Sequence, residues 1–334
     1  MQASSSSSEA LSAGMRRRDS TPVRRLWLLA ALALAAIVLF MTINLSGNLR
    51  YILVHRGLIL ATMLLVAFAS GVATLLFQTV TNNRILTPSI MGLEALFILI
   101  QTATIFFIDA EGFRSLGVIG KFLGESLLLL IFSLALYRWL LTGLGLDLHK
   151  VLLIGLVFGT LFRSLSGLLQ RLLAPGEFAV LQGRVFATFT RAPPEIIALA
   201  SVIVLPIALA VWRLRYELDV LALGRSAALN LGVPYQQKTL TLLLLVSLLV
   251  AISTALVGPL TFLGLLIANL TYQIIGSHRH QYLLPGVFLT GTIALVGGQL
   301  VLERMLNMAG TLSVVIEFAG GALFLYLLIK KAAL

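Results

Sequence analysis

Few side chains in this 334-residue chain can do chemistry, and their placement limits what that chemistry is. Cysteine is absent, which excludes thiolate nucleophiles, iron–sulfur ligation and disulfides. Three charges, Glu94, Arg163 and Glu317, fall inside long apolar runs. A charge there is costly and normally faces protein or a water-filled cavity. Either glutamate can pair with Arg163 as a structural link; the sharper alternative is a proton relay through Glu94 or Glu317. His278 and His280 flank Arg279 in a short polar stretch. Further ligands for a metal are missing there, so contact with a partner or with solvent suits them better. Arg56 and Arg304 stand at the ends of apolar runs. A guanidinium so placed either snorkels to headgroups or offers a bidentate fork to a partner's carboxylate.

The elements that position these groups are apolar helices. Apolar residues make up 59% of the chain and charged residues 11%, and mean hydropathy is +1.02. A soluble domain carries about 25% charged residues. Such a chain cannot cover itself with polar groups, so its solvent is mostly bilayer. Runs of about 20 apolar residues, each long enough to cross as a helix, recur near 26–46, 57–77, 89–108, 122–141, 150–172, 196–214, 239–257, 260–276, 283–302 and 313–330. The expected fold is an all-α polytopic membrane protein of about ten spans. Residues 1–25 are expected to form a disordered basic cytoplasmic tail and 26–334 a single transmembrane domain.

An even number of spans puts both termini on one side. One side then holds Arg16, Arg17, Arg18, Arg24, Arg25, Arg84, Arg138, Lys150, Arg213, Arg215, Arg225, Lys238, Arg279, Lys330 and Lys331. The other holds Arg50, Arg56, Arg114, Lys121, Arg171, Arg184, Arg191 and Arg304. The richer side is assigned to the cytoplasm. The net charge of +11 is read as this orienting charge and not as a nucleic-acid surface. No Gly-x-x-x-x-Gly-Lys-[Ser/Thr] phosphate loop occurs in the chain.

Two loops are long enough to be structured. The outer one, Ala174 to Glu195, reads as a short surface or re-entrant helix between Pro175-Gly176 and Pro193-Pro194. The inner one, Arg213 to Lys238, carries Leu223-Gly-Arg-Ser-Ala-Ala-Leu-Asn-Leu-Gly-Val-Pro234. Arg225 to Leu231 suits about two helical turns, with Ala227 and Leu231 on one face and Ala228 adjacent. Gly232 suits the left-handed position after a helix, and Pro234 stops its continuation. A second short stretch, Glu217 to Leu223, precedes it. Two short helices with small residues at the contact face would fit a groove on a partner protein. Gly258, Pro259 and Gly264 interrupt or thin another helix, either as a simple tight turn or as a break whose freed backbone groups are satisfied by protein or water, as beside a translocation path or a subunit seam. Gly155-x-x-x-Gly159 permits close packing.

These motifs resemble, in order and in register, those of the permease subunits of ABC importers for iron–siderophore complexes and cobalamin. The resemblance runs through Arg56, Gln78, Asn83, Pro88 and Met91-Gly92, then Leu223-Gly224-x-x-x-Ala228-x-x-Leu231-Gly232-Val233. It continues in Gly258-Pro-Leu-Thr-Phe-Leu-Gly264, Gly276-Ser-His278-Arg279 and Gly320-Gly321, covering about residues 50–330. Departures occur at Arg84 to Thr87, at Ile267-Ala-Asn269 and at Thr311, Ser313 and Ala322, and point to a branch associated with catecholate or related siderophores.

The resemblance implies a ten-span fold like that of the cobalamin importer permeases, and no catalytic residue, metal or cofactor in this chain. Mg-ATP would be used by a separate ATPase, coupled through helices at about 215–236 with Leu223, Gly224, Arg225, Ala228, Leu231 and Gly232 at the contact. A periplasmic or lipid-anchored binding protein would dock on Arg56 and Arg304. The chain would pair with a second copy or a similar permease in a bacterial inner membrane. Haem or cobalamin as cargo, and a proton-coupled carrier using Glu94 or Glu317, are the alternatives.

Overall fold

The computed structural model describes the backbone of residues 3–43, 48–115, 117–143, 148–190, 192–305 and 311–332. Every regular element among them is helical: α1 Ala3–Thr42, α2 Leu49–Thr81, α3 Leu93–Ser115, α4 Val118–Gly143, α5 Leu148–Leu172, α6 Pro175–Val185, α7 Pro194–Arg213, α8 Arg215–Leu221, α9 Arg225–Asn230, α10 Tyr235–Val257, α11 Leu263–Ile275, α12 His280–Arg304 and α13 Leu312–Ala332. A single 3-10 turn, Pro88–Met91, precedes α3. The side chains of Arg16, Arg17, Arg18, Arg114, Arg138, Lys150, Arg191, Lys330 and Lys331, used above for orientation, lie outside the described residues.

Among the described residues, seven helices are long and apolar enough to cross a bilayer by length and composition. Three shorter apolar segments, Leu93–Ile108, Leu263–Ile275 and Leu312–Tyr326, fall in the remaining expected runs. The apolar part of α1 is Thr21–Thr42, but its helical backbone begins at Ala3, where an irregular tail over 1–25 was expected. Pro22, inside that helix, lies at the start of the apolar part.

Local chemistry sets several boundaries. Asn48 caps α2 by accepting the Tyr51 amide at 3.4 Å, and α2 ends at Asn82, left-handed with φ 51°. Asparagine tolerates that region better than most side chains. Within the 174–195 loop lies the short helix α6: Pro175 opens it, and the Glu177 carboxylate accepts the Ala174 amide at 3.0 Å.

The centre of the bundle is α2, which packs against α10, α11 and α12. Its contacts with α12 use small residues: Gly71 faces Val287, and Gly291 faces Ala67, at distances where an added methyl would be tight. Between helices surrounded by lipid, association depends on such close van der Waals fit.

Candidate functional site

Most of the sequence-picked residues that the structure clusters lie at one end of the bundle. Helices α8 and α9, the two short helices within residues 215–236, pack against each other there. Gly224 opens α9 and Gly232 closes it, both left-handed, with φ 94° and 79°. The Val233 amide bonds the Ala228 carbonyl at 2.9 Å and the Gly232 amide bonds Leu229 at 3.0 Å, a Schellman-type end. The facing differs from the sequence expectation. Ala228 is fully buried against the bundle, whereas Leu223 and Leu231 are 66% and 62% exposed. Small residues therefore face inward, and the free surface is apolar and large, joined by Leu229, which the sequence reading passed over. Arg225 is exposed at its edge.

This unit is fastened to the bundle by polar contacts that the sequence did not reveal. The Asp219 carboxylate on α8 accepts the backbone amide of His280 and meets its Nδ1, both at 2.7 Å. His280 Nε2 lies 2.8 Å from Thr79 Oγ1 on α2. Lys238 pairs with Glu217 at 2.6 Å. Nearby, the Arg25 guanidinium donates to the Ile274 and Ile275 carbonyls at the end of α11. Arg84 stacks on Tyr272 and reaches His278 Nδ1 at 3.0 Å. His278 and His280 thus have separate partners, and no cluster with metal-ligand geometry occurs among the described residues.

In the interior, two interruptions meet. After α2 the chain runs through residues 82–92 before α3 begins, and after α10 it runs through Gly258 to Phe262 before α11. Glu94 joins them: Ser89 Oγ and Thr261 Oγ1 each donate to its carboxylate at 2.7 Å. The Glu94 carboxylate is therefore held by hydroxyls, not by Arg163, which is exposed. Backbone freed by the first break is satisfied by side chains. Gln78 and Asn269 donate to the Arg84 carbonyl at 2.7 and 3.3 Å, and Asn83 accepts the Ile85 amide at 3.1 Å. This gives Gln78, Asn83 and the unusual Asn269 one physical task. Gly155 and Gly159 of α5 receive Met91 and Gly92, so that pair accommodates the break instead of a second long helix.

Gly264 begins α11 against α2, where an added methyl would collide with the Thr74 hydroxyl and the Ser70 carbonyl. Gly258 ends α10 at φ 101°, with Ala187 and Arg184 of the outer loop against it. The Thr188 amide bonds the Val257 carbonyl at 2.9 Å, fixing that loop to the end of α10. Pro259 follows in the break. Beside it a pocket of about 550 Å³ opens, lined by Lys121, Glu125, Arg184, Phe97 and Phe122 among others.

The two arginines at the opposite end are not equivalent. Arg56 donates through Nη1 to the Phe40 and Ile43 carbonyls at 2.7 and 2.6 Å and lies over the Phe40 ring. It closes the C-terminal end of α1, a favourable place for a cation. Arg304, in the last turn of α12, is exposed.

Comparison with known proteins agrees with this architecture. The chain is 44% identical over 304 residues, 91% of its length and 96% of the relative's, to the petrobactin import system permease protein YclO of Bacillus subtilis. It is 37% identical over 280 residues to the petrobactin import system permease protein FatC of Bacillus anthracis, covering 84% of this chain and 79% of that one. Its fold matches a solved metal-chelate type ABC transporter in an inward-facing conformation, with TM-score 0.80 at 22% identity, over 93% of this chain and all of that one. Residues 26–330 fit the model of the FecCD transport family, and with apolar helices, paired breaks and the fastened α8–α9 unit in place, the chain belongs to that family.

Proposed function

We propose that this chain is the membrane-spanning subunit of an ATP-driven importer that carries ferric petrobactin, or a closely similar ferric siderophore, across a bacterial cytoplasmic membrane. The observation that carries this reading is the 44% identity, over nearly the whole of both chains, to a petrobactin import permease. The ten apolar helices are all spans, and both termini lie in the cytoplasm. A separate ATPase hydrolyses ATP and docks on the surface formed by Leu223, Arg225, Leu229 and Leu231. Gly224 and Gly232 shape that surface, and Ala228 anchors it from within.

An external binding protein delivers the chelate at the opposite end, where Arg304 is free to pair with a carboxylate. Arg56 takes part only by releasing the end of α1. Two permease chains, identical or similar, enclose the path, and the flexible points are the breaks at Gly258, Pro259 and Gly264. The solute must pass without tight binding, which fits small and apolar linings better than fixed charge.

The test is uptake of radio-iron-labelled ferric petrobactin by vesicles containing the purified permease, its ATPase and its binding protein. Uptake that requires ATP and all three components is expected. Uptake by the permease alone, driven by a pH gradient, would overturn the reading.

A further inference from the structure

We propose that Asp219, His280 and Thr79 form a strut that carries movement of the α8–α9 unit into α2 and α12. The proposal rests on the reading above, in which an ATPase moves that unit. Asp219 holds two points of one residue, the amide and Nδ1 of His280, both at 2.7 Å. A two-point hold removes the freedom to pivot that a single hydrogen bond leaves. That residue is the first of α12, and a carboxylate at a helix start is further favoured by the helix dipole. On its other side the same imidazole meets Thr79 at 2.8 Å, one turn from the end of α2. One ring thus bridges three helices.

The bridge closes with either protonation of the ring. A neutral imidazole donates from Nδ1 to Asp219 and accepts the Thr79 hydroxyl proton at Nε2. An imidazolium donates from both nitrogens, and Thr79 keeps its bond to the Leu75 carbonyl at 2.8 Å. His280 and Thr79 are only 2% and 4% exposed, so the contact between the ring and α2 is shielded from water. The Asp219 side chain is 31% exposed, and its end of the strut is held by its two contacts with one residue and not by burial.

The neighbouring attachment differs in number of contacts. Glu217 and Lys238 tie α8 to α10 through one pair at 2.6 Å. A single contact leaves the pivot that the two-point hold on His280 removes. The tie to α2 and α12 is therefore the stiffer one. Movement of α8 is directed into α2, which bears Thr74 and Ser70 against Gly264 at the break before α11.

The experiment uses the complete transporter in vesicles, measuring ATP hydrolysis and ferric petrobactin uptake on the same sample. Thr79→Val keeps side-chain volume and removes the hydroxyl; Asp219→Ala removes the other end of the strut. Both are expected to hydrolyse ATP within about twofold of wild type while uptake per ATP falls about tenfold, the scale of one lost buried hydrogen bond. Thr79→Ser is expected to restore uptake per ATP, and Glu217→Gln to leave it unchanged. If uptake per ATP stays at the wild-type value in Thr79→Val, or if hydrolysis and uptake fall together, these residues serve assembly only and the proposal fails. Should Asp219→Ala not assemble, the Thr79 pair decides alone. Failure of the wild-type complex itself to couple ATP to uptake would instead overturn the parent reading, and the strut with it.

Discussion

Glu94 shows how a single side chain separates two mechanisms. A carboxyl group inside an apolar helix can relay protons or can hold structure. Here two hydroxyls donate to it, one from the turn before α3 and one from the break before α11. Its geometry is that of a clamp between two interruptions. Glu94→Gln keeps one acceptor oxygen and about the same volume, so the clamp is weakened but not opened, and ATP-driven uptake should stay within about tenfold of wild type, the scale of one weakened hydrogen bond of about 1.4 kcal/mol. Glu94→Ala leaves both hydroxyls unpaired and should lower the thermal stability of the detergent-solubilised protein by about 2 kcal/mol. Uptake assays with the pH gradient collapsed, alongside melting curves, check both. Complete loss of uptake in Glu94→Gln with an unchanged melt would restore the proton relay. Its place in an apolar run was legible in the sequence; its place in the first turn of α3 and its partners were not, because Thr261 lies 167 residues away.

At the scale of elements, the sequence was legible wherever the determining chemistry is local. Gly224, Gly232 and Pro234 delimit α9 as their backbone preferences require, and Pro175 opens α6. Which face of α9 turns inward was not legible, because a six-residue helix bearing both alanine and leucine has no dominant apolar stripe. Tertiary packing selected Ala228 for the buried side and left Leu229 and Leu231 outside. The breaks themselves were legible from Asn82-Asn83-Arg84, Pro88 and Gly258-Pro259, but what makes the first tolerable was not, because Gln78 and Asn269, which satisfy it, sit on other elements. The exposed leucines lead to a directional expectation. Leu231→Asp and Leu223→Asp place a carboxylate on a surface that otherwise becomes buried and dry, which costs several kcal/mol unless it is paired. Each variant should insert into membranes at wild-type levels yet lose ATPase in affinity pull-down. A Leu231→Asp protein that retains its ATPase and its uptake would remove this face from the contact.

For the whole molecule, the question is which end faces the cytoplasm. Charge asymmetry in the sequence gives the expectation that the end with more Lys and Arg is the cytoplasmic one, and the fold adds that several of the counted charges have local partners. Arg25, Arg84 and Lys238 gather around the α8–α9 end, engaged with helix-end carbonyls, an aromatic ring and a glutamate. Arg56 closes α1 at the opposite end. A cation that serves packing still disfavours transfer across the bilayer, so the two uses reinforce each other. The chain has no cysteine, so its sidedness can be measured without first removing native thiols. Phe186, exposed on the loop after α6, and Asn230, exposed at the end of α9, report the two ends. Single variants Phe186→Cys and Asn230→Cys, expressed without the ATPase that would cover the second site, are treated with a membrane-impermeant maleimide. The thiol at 186 should be labelled in intact protoplasts and the thiol at 230 only in inverted vesicles. The opposite pattern would invert the molecule, placing α8 and α9 where no ATPase can reach them, and would remove the physical basis for energy coupling from that end.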